Sequence, residues 1–166
     1  MNVMNTHSNA FTRTHTAVFA ADKLRILMKQ LVTDAGLDPT ELVDAWSAWV
    51  GPAARTLLES GHLKAVIIEF FRPNSNDALG RWDFPIRYDG TNDDMWVDTE
   101  FYKASFAKAP KPPAGCVYRI LFQEYPGGPN VGLVSTSFKN LGALRSREAG
   151  TVIATSDIMA SAVYYK

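Results

Sequence analysis

A single cysteine, Cys116, is all the thiol chemistry the chain carries. No intramolecular disulfide can form, and a lone thiol fits a reducing compartment. An excess of either charge is also missing: Lys plus Arg number 17 and Asp plus Glu number 17. A nucleic-acid binder or a protein held on an anionic membrane needs a basic excess or a clustered basic face. The one local cluster, Arg145 and Arg147, sits beside Glu148, so neither direct nucleic-acid binding nor membrane association is expected. No apolar run approaches the ~18 residues of a membrane span. The polar stretch Met1–Ala10 lacks the apolar core of a signal peptide, and the cytoplasm is the expected location.

Catalytic motifs are missing too. The three histidines, His7, His15 and His62, share no i, i+4 spacing and do not pair with Cys116 at zinc-ligand spacing, so neither metal nor cofactor is expected. There is no G-x-S-x-G elbow, no P-loop and no G-x-G-x-x-G. Gly127–Gly128, between two prolines, is turn chemistry. Asp93 and Asp94 read as charges at a helix N-terminus. Cys116 opens an apolar strand and reads as a structural thiol. No catalytic residue is assigned, and the chain is not expected to be an enzyme. One alternative stays open: a small ligand-binding domain or hydrolase whose hairpin–helix cleft is lined by Trp82, Phe84, Trp96, Phe101 and Phe106.

What is present is an ordinary globular composition, 166 residues with 46% hydrophobic, enough for one domain that buries about 70% of its unfolded surface. Residues 1–13, rich in Asn, Ser and Thr, read as a mobile arm, with a short strand around Thr12–Thr16. A helix over about Ala17–Ala35 is predicted by the stripe Leu24, Leu27, Met28, Leu31, Val32 and Ala35, with Gly36 past its end. Asp38, Pro39 and Glu41 mark a second helix start. Its apolar stripe runs Leu42, Trp46, Trp49, Val50, Ala53 and Leu57, with a kink near Val50–Gly51 ahead of Pro52. Gly61 closes it. Leu63–Arg72, apolar on both faces, reads as a central strand. Arg81–Tyr88 alternates, with Pro85 favouring an edge or a bulge. A third helix is predicted over about Asp94–Lys108, stopped by prolines, then a strand over Cys116–Tyr125. The last forty residues read as irregular, with short strands at Thr151–Ala154 and Ala160–Tyr165 and a further one possible at Val131–Phe138. Segregated helices beside a mostly antiparallel sheet make an α+β fold.

The segment His62–Asp89 resembles the hairpin of the HORMA family, spindle-checkpoint member included. Arg81, Trp82, Phe84 and Ile86 match its R-W-x-F-x-I strand. Leu144–Arg145–Ser146, Thr151, Ile153, Met159 and the closing Tyr165–Lys166 are similar to that family's C-terminal "safety belt". The N-terminal TRTHTA ahead of an apolar helix looks like the bacterial, antiphage-signalling (CBASS) branch. The resemblance implies one HORMA-like domain, three helices on a mainly antiparallel sheet, with residues 1–13 as arm and 131–166 as belt. It implies an adaptor that binds a closure-motif peptide by β-augmentation. The edge strand would be Tyr118, Arg119, Ile120, Leu121, Phe122, Gln123 and Glu124, and the belt side Gly150, Thr151, Val152, Ile153, Ala154 and Thr155. It further implies assembly with and activation of a cyclic-oligonucleotide synthase of the CD-NTase type. A remodelling AAA+ ATPase would engage the arm at Asn9, Ala10, Phe11, Thr12 and Arg13.

Overall fold

The computed structural model describes residues 3–89, 96–109, 111–133 and 137–166. Helix α1 spans Val3–Asp34, α2 Thr40–Ala45 and α3 Gly51–Ser60, with one π-helical turn, Trp46–Val50, joining α2 to α3. Strands follow as β1 Leu63–Phe71, β2 Ala78–Arg87 and β3 Trp96–Val97, then helix α4 Thr99–Lys108, then β4 Val117–Glu124, β5 Ser146–Ala154 and β6 Met159–Tyr165. The six strands form one sheet in the order β3-β5-β6-β2-β1-β4, with every neighbouring pair antiparallel. The fold is α+β.

The apolar stripe of α1 is buried as its spacing predicts: Leu24, Leu27, Met28, Leu31 and Val32. Its start is not where composition puts it. The chain is already helical from Val3, and the short strand expected around Thr12–Thr16 lies inside the helix. Thr and Asn have poor helix propensity; tertiary contacts hold the helix from Arg13 onward. Arg13 Nε meets Asp157 Oδ2 at 2.5 Å, its guanidinium lies over the Tyr88 ring, and the Thr14 hydroxyl donates to Glu59.

The expected break before Pro52 takes the form of the π turn. The Gly51 amide donates to the Trp46 carbonyl five residues back. This re-registers the ladder ahead of the proline, which has no N–H to give. The extra residue rotates the apolar stripe, so Trp46 and Val50 are buried while Trp49, expected in the same stripe, is 44% exposed. Gly61 takes the left-handed cap conformation at φ +77° that the sequence predicts for it.

The helix-facing side of the sheet carries Val66, Ile68, Phe70, Trp82, Phe84 and Ile86, all buried with the α1 and α3 stripes in one core. The opposite side holds a separate small cluster, Ala65, Ile67 and Leu121. Pro85, expected at an edge or bulge, lies in an interior strand. Pairing of β2 with β6 lapses at Phe84–Pro85, between Asp83↔Val163 and Ile86↔Ala160, so the missing donor falls in a gap of the ladder.

The C-terminal residues are more regular than their composition suggests. β5 and β6 form a hairpin docked on β2, and Val152, Ile153, Ala154, Ile158, Ala160 and Ala162 are fully buried. Small side chains pack densely against the helices, which composition undervalues. Gly150, at φ +95°, sits where the β5–β6 register slips, a bulge that favours glycine. Of the strand considered at Val131–Phe138, residues 134–136 lie outside the described ones, and the rest forms no strand. The expected start of α4 at Asp94 also falls outside.

A free sheet edge beneath a crossing segment

β4 ends the sheet, and among the described residues nothing pairs with its outer side. Its row of outward N–H and C=O groups is a template for another strand. The seven residues assigned to this edge, Tyr118 to Glu124, all fall on it. Tyr118, Ile120 and Phe122 pack towards the helices, and Leu121 joins the cluster on the other face.

Residues 137–140, between β4 and β5, cross that other face. Arg119 Nη2 on β4 donates to the Ser137 carbonyl at 2.6 Å, and the Lys139 amide donates to Glu69 Oε2 on β1 at 2.8 Å. The Phe138 ring lies 4.7 Å from the Arg81 guanidinium on β2. Lys139 Nζ caps the Ser75 carbonyl and sits over the Phe71 ring. Asn140 then bridges Asp77, and the Ala78 amide donates to its carbonyl. Residues 137–140 therefore pass successively over β4, β1 and β2.

Glu69 organises this crossing. Its carboxylate is fully buried and accepts from Arg119 Nε at 2.7 Å on one oxygen and from Lys139 N on the other. A buried carboxylate needs such partners. Beside it, Arg81 and Asp83 make a two-pronged pair at 2.6 and 2.9 Å, and Tyr165 donates to Asp83. Burial pushes the Tyr165 phenol up, and the neighbouring Asp83 charge adds to it, so the hydroxyl stays a donor. Glu69 carries one signal in the sequence, a lone acid inside an otherwise apolar strand, and no motif marks it.

On the helix side of the edge, the Tyr118 hydroxyl donates to the Asp38 carbonyl and accepts from the Leu42 amide, both at 3.1 Å. Burial raises its pKa, with Glu41 and Asp38 adding to the effect. The exposed Trp49 ring lies 6.5 Å from Phe122.

The residues assigned to the belt side, Gly150, Thr151, Val152, Ile153, Ala154 and Thr155, are not brought to β4. All but Thr155 lie in β5, with β6, β2 and β1 in between, about 19 Å away at the usual strand spacing. Thr155 is buried in the β5–β6 turn, where its hydroxyl donates to the Ile158 carbonyl and accepts from the Ile158 amide. The arm residues Asn9, Ala10, Phe11, Thr12 and Arg13 lie in α1. Of their side chains only Arg13 is within the described residues, and it joins α1 to that same turn through Asp157.

The hairpin–helix cleft offers less. Trp82 and Phe84 are buried and stacked on each other. The recess that reaches Trp82 holds about 10 Å³, room for one water. The side chains of Trp96, Phe101 and Phe106 lie outside the described residues. Burial pushes the Cys116 thiol up, away from thiolate. Among the described residues no group of three or more His, Cys, Asp and Glu gathers as a metal site, and no helix is long and apolar enough to cross a membrane.

Comparison with solved structures bears on the same architecture. A chain in the crystal structure of the mitotic checkpoint complex superposes with a TM-score of 0.65 at 11% identity, over 88% of this chain and 97% of that one. The E. coli MS115-1 CdnC:HORMA-deltaN complex gives 0.58 at 11%, over 90% and 86%. C. elegans HTP-2 bound to the HIM-3 closure motif gives 0.52 at 11%, over 70% and 67%. These likenesses are of fold. Among curated proteins no match is found. The family model described as bacterial HORMA domain 2 matches residues 5–166, nearly the whole chain, and the protein belongs to that family.

Proposed function

We propose that this protein is a peptide-capturing signalling adaptor, and that a segment of another protein adds as a strand to β4 and is held there by residues 125–145. The observation that carries the reading is the β4 edge, unpaired among the described residues, with residues 137–139 anchored across the neighbouring face at Arg119 and Glu69. Backbone hydrogen bonds along eight residues would give affinity, and alternate side chains specificity. The belt role then falls to residues 125–145, and the hairpin β5–β6 anchors its far end on β2. A peptide lying inside that connection could leave only by endwise sliding or by release of the anchor, so dissociation is slow.

The solved complex of a bacterial HORMA chain with CdnC supports a cyclic-oligonucleotide synthase as the protein this chain assembles with; capture of the peptide would switch that synthase on. A remodelling AAA+ ATPase that draws on α1 would reset it. The pull would reach the anchoring hairpin through Arg13–Asp157.

The test is reconstitution with a candidate synthase. Cyclic-nucleotide formation should require the chain together with a peptide that binds it, and should vanish when the same peptide carries backbone N-methyl groups that block strand addition. Equal activity with the methylated peptide, or without the chain, would refute the reading.

A further inference from the structure

Which peptides the β4 edge accepts depends on the surface beside it. A shallow open groove of about 590 Å³ runs along the outer face of α2, lined by Asp38, Glu41, Asp44, Ala45, Ala48 and Trp49. Two contacts place it alongside the edge strand. Tyr118 bonds the start of α2 at Asp38 and Leu42, and Trp49 lies against Phe122.

Three carboxylates line the groove and no basic side chain does. Asp38 is engaged by the Thr40 amide and hydroxyl. Glu41 and Asp44 make no ion pair among the described residues. Their field is unneutralised and faces whatever lies on the helix side of the edge.

The strand period converts this into a sequence pattern. Residues four apart in β4, Tyr118 and Phe122, share the helix side and stand about 13–14 Å apart. A strand laid on β4 has the same period. One of its residues meets the exposed indole of Trp49 at the Phe122 level, and the residue four positions away meets Asp38 and Glu41 at the Tyr118 level.

We infer that the captured segment is a basic–aromatic peptide, with a large aromatic or aliphatic side chain seated against Trp49 and a Lys or Arg four residues away facing Asp38, Glu41 and Asp44. A long cationic side chain can keep its methylenes against the strand and set its charge among the carboxylates. An acidic residue at that place is repelled. In an antiparallel addition the aromatic precedes the basic residue; in a parallel one it follows, so the order found reports the orientation. The inference rests on strand capture at β4, and its test separates the two.

A random peptide library is selected on the full chain, and the enriched sequences are resynthesised with Lys or Glu at the selected charged place. Binding is read by fluorescence anisotropy at low and high salt. The expected result is enrichment of Lys or Arg four residues from an aromatic, and a preference for the Lys over the Glu peptide of about tenfold that shrinks as salt rises. The double variant E41K/D44K, checked for unchanged thermal unfolding, should reverse the preference. Enriched peptides with no charge preference, or with an unchanged preference in the variant, would overturn the charge assignment and leave strand capture standing. If nothing is enriched, strand capture fails and the inference fails with it.

Discussion

Glu69 and Arg119 face each other across β1 and β4, with Arg119 Nε 2.7 Å from the fully buried Glu69 carboxylate. The second Glu69 oxygen holds the Lys139 amide of the crossing segment. One carboxylate thus ties the free edge strand to the chain that passes over it. Glu69→Gln keeps the shape and removes the charge, leaving Arg119 with a weaker acceptor. A loss of about 2–3 kcal/mol in stability by urea denaturation is expected, since hydrogen bonds to buried charged groups are of this size. The same variant should release captured peptide faster in stopped-flow chase. An unchanged unfolding midpoint would show that the tie contributes nothing.

Trp49 separates binding from folding. It is 44% exposed, yet touches Phe122 beside the free edge. Trp49→Ala should shift stability by about 1 kcal/mol or less, as for a partly exposed side chain. It should weaken peptide capture by about tenfold or more, as loss of an aromatic anchor does. Calorimetric titration together with thermal unfolding reads both. A variant that loses stability and keeps its affinity would place Trp49 in the core's service alone.

Arg13 and Asp157 join the first helix to the turn of the C-terminal hairpin, with side chains 27% and 24% exposed. In a double-mutant cycle with alanine, the pair should show a coupling of about 1 kcal/mol, the upper end for partly exposed ion pairs. Strictly additive losses would mean that the hairpin turn and α1 are energetically independent.

Asp38 predicts a pH dependence. The Thr40 hydroxyl and then the Thr40 amide hold its carboxyl below the ordinary value of 3.8. Its folded pKa is therefore below its unfolded one, so its contribution is present above about pH 3.8 and is lost as pH falls through the lower folded value. Carboxyl NMR titration should give a midpoint under 3.8, with the Thr40 amide shift following it. A midpoint at or above 3.8 would contradict the bond.

Much of the fold was legible because burial follows period. The α1 stripe and the Trp82–Phe84–Ile86 alternation could face only one core, and Gly61 marks a turn that other residues resist. The edge strand was legible through its place in the HORMA element order. Three features were not. The Asn- and Thr-rich residues from Val3 onward join α1, against local propensity. Trp49 turns outward through a π turn that no periodicity encodes. The route of residues 137–140 depends on Glu69, Arg81 and Arg119, which meet only once three strands are aligned. Residues 150–155, expected on the belt side, lie in β5 and the turn after it, four strands from β4, a separation that depends on a strand order no local pattern encodes.

The most direct measurement is amide hydrogen exchange across Val117–Glu124 with and without a selected peptide. Strand capture predicts that alternate amides of this strand, those pointing away from β1, exchange freely in the unliganded protein and become protected when peptide is bound. Protection elsewhere, with these amides unchanged, would contradict it.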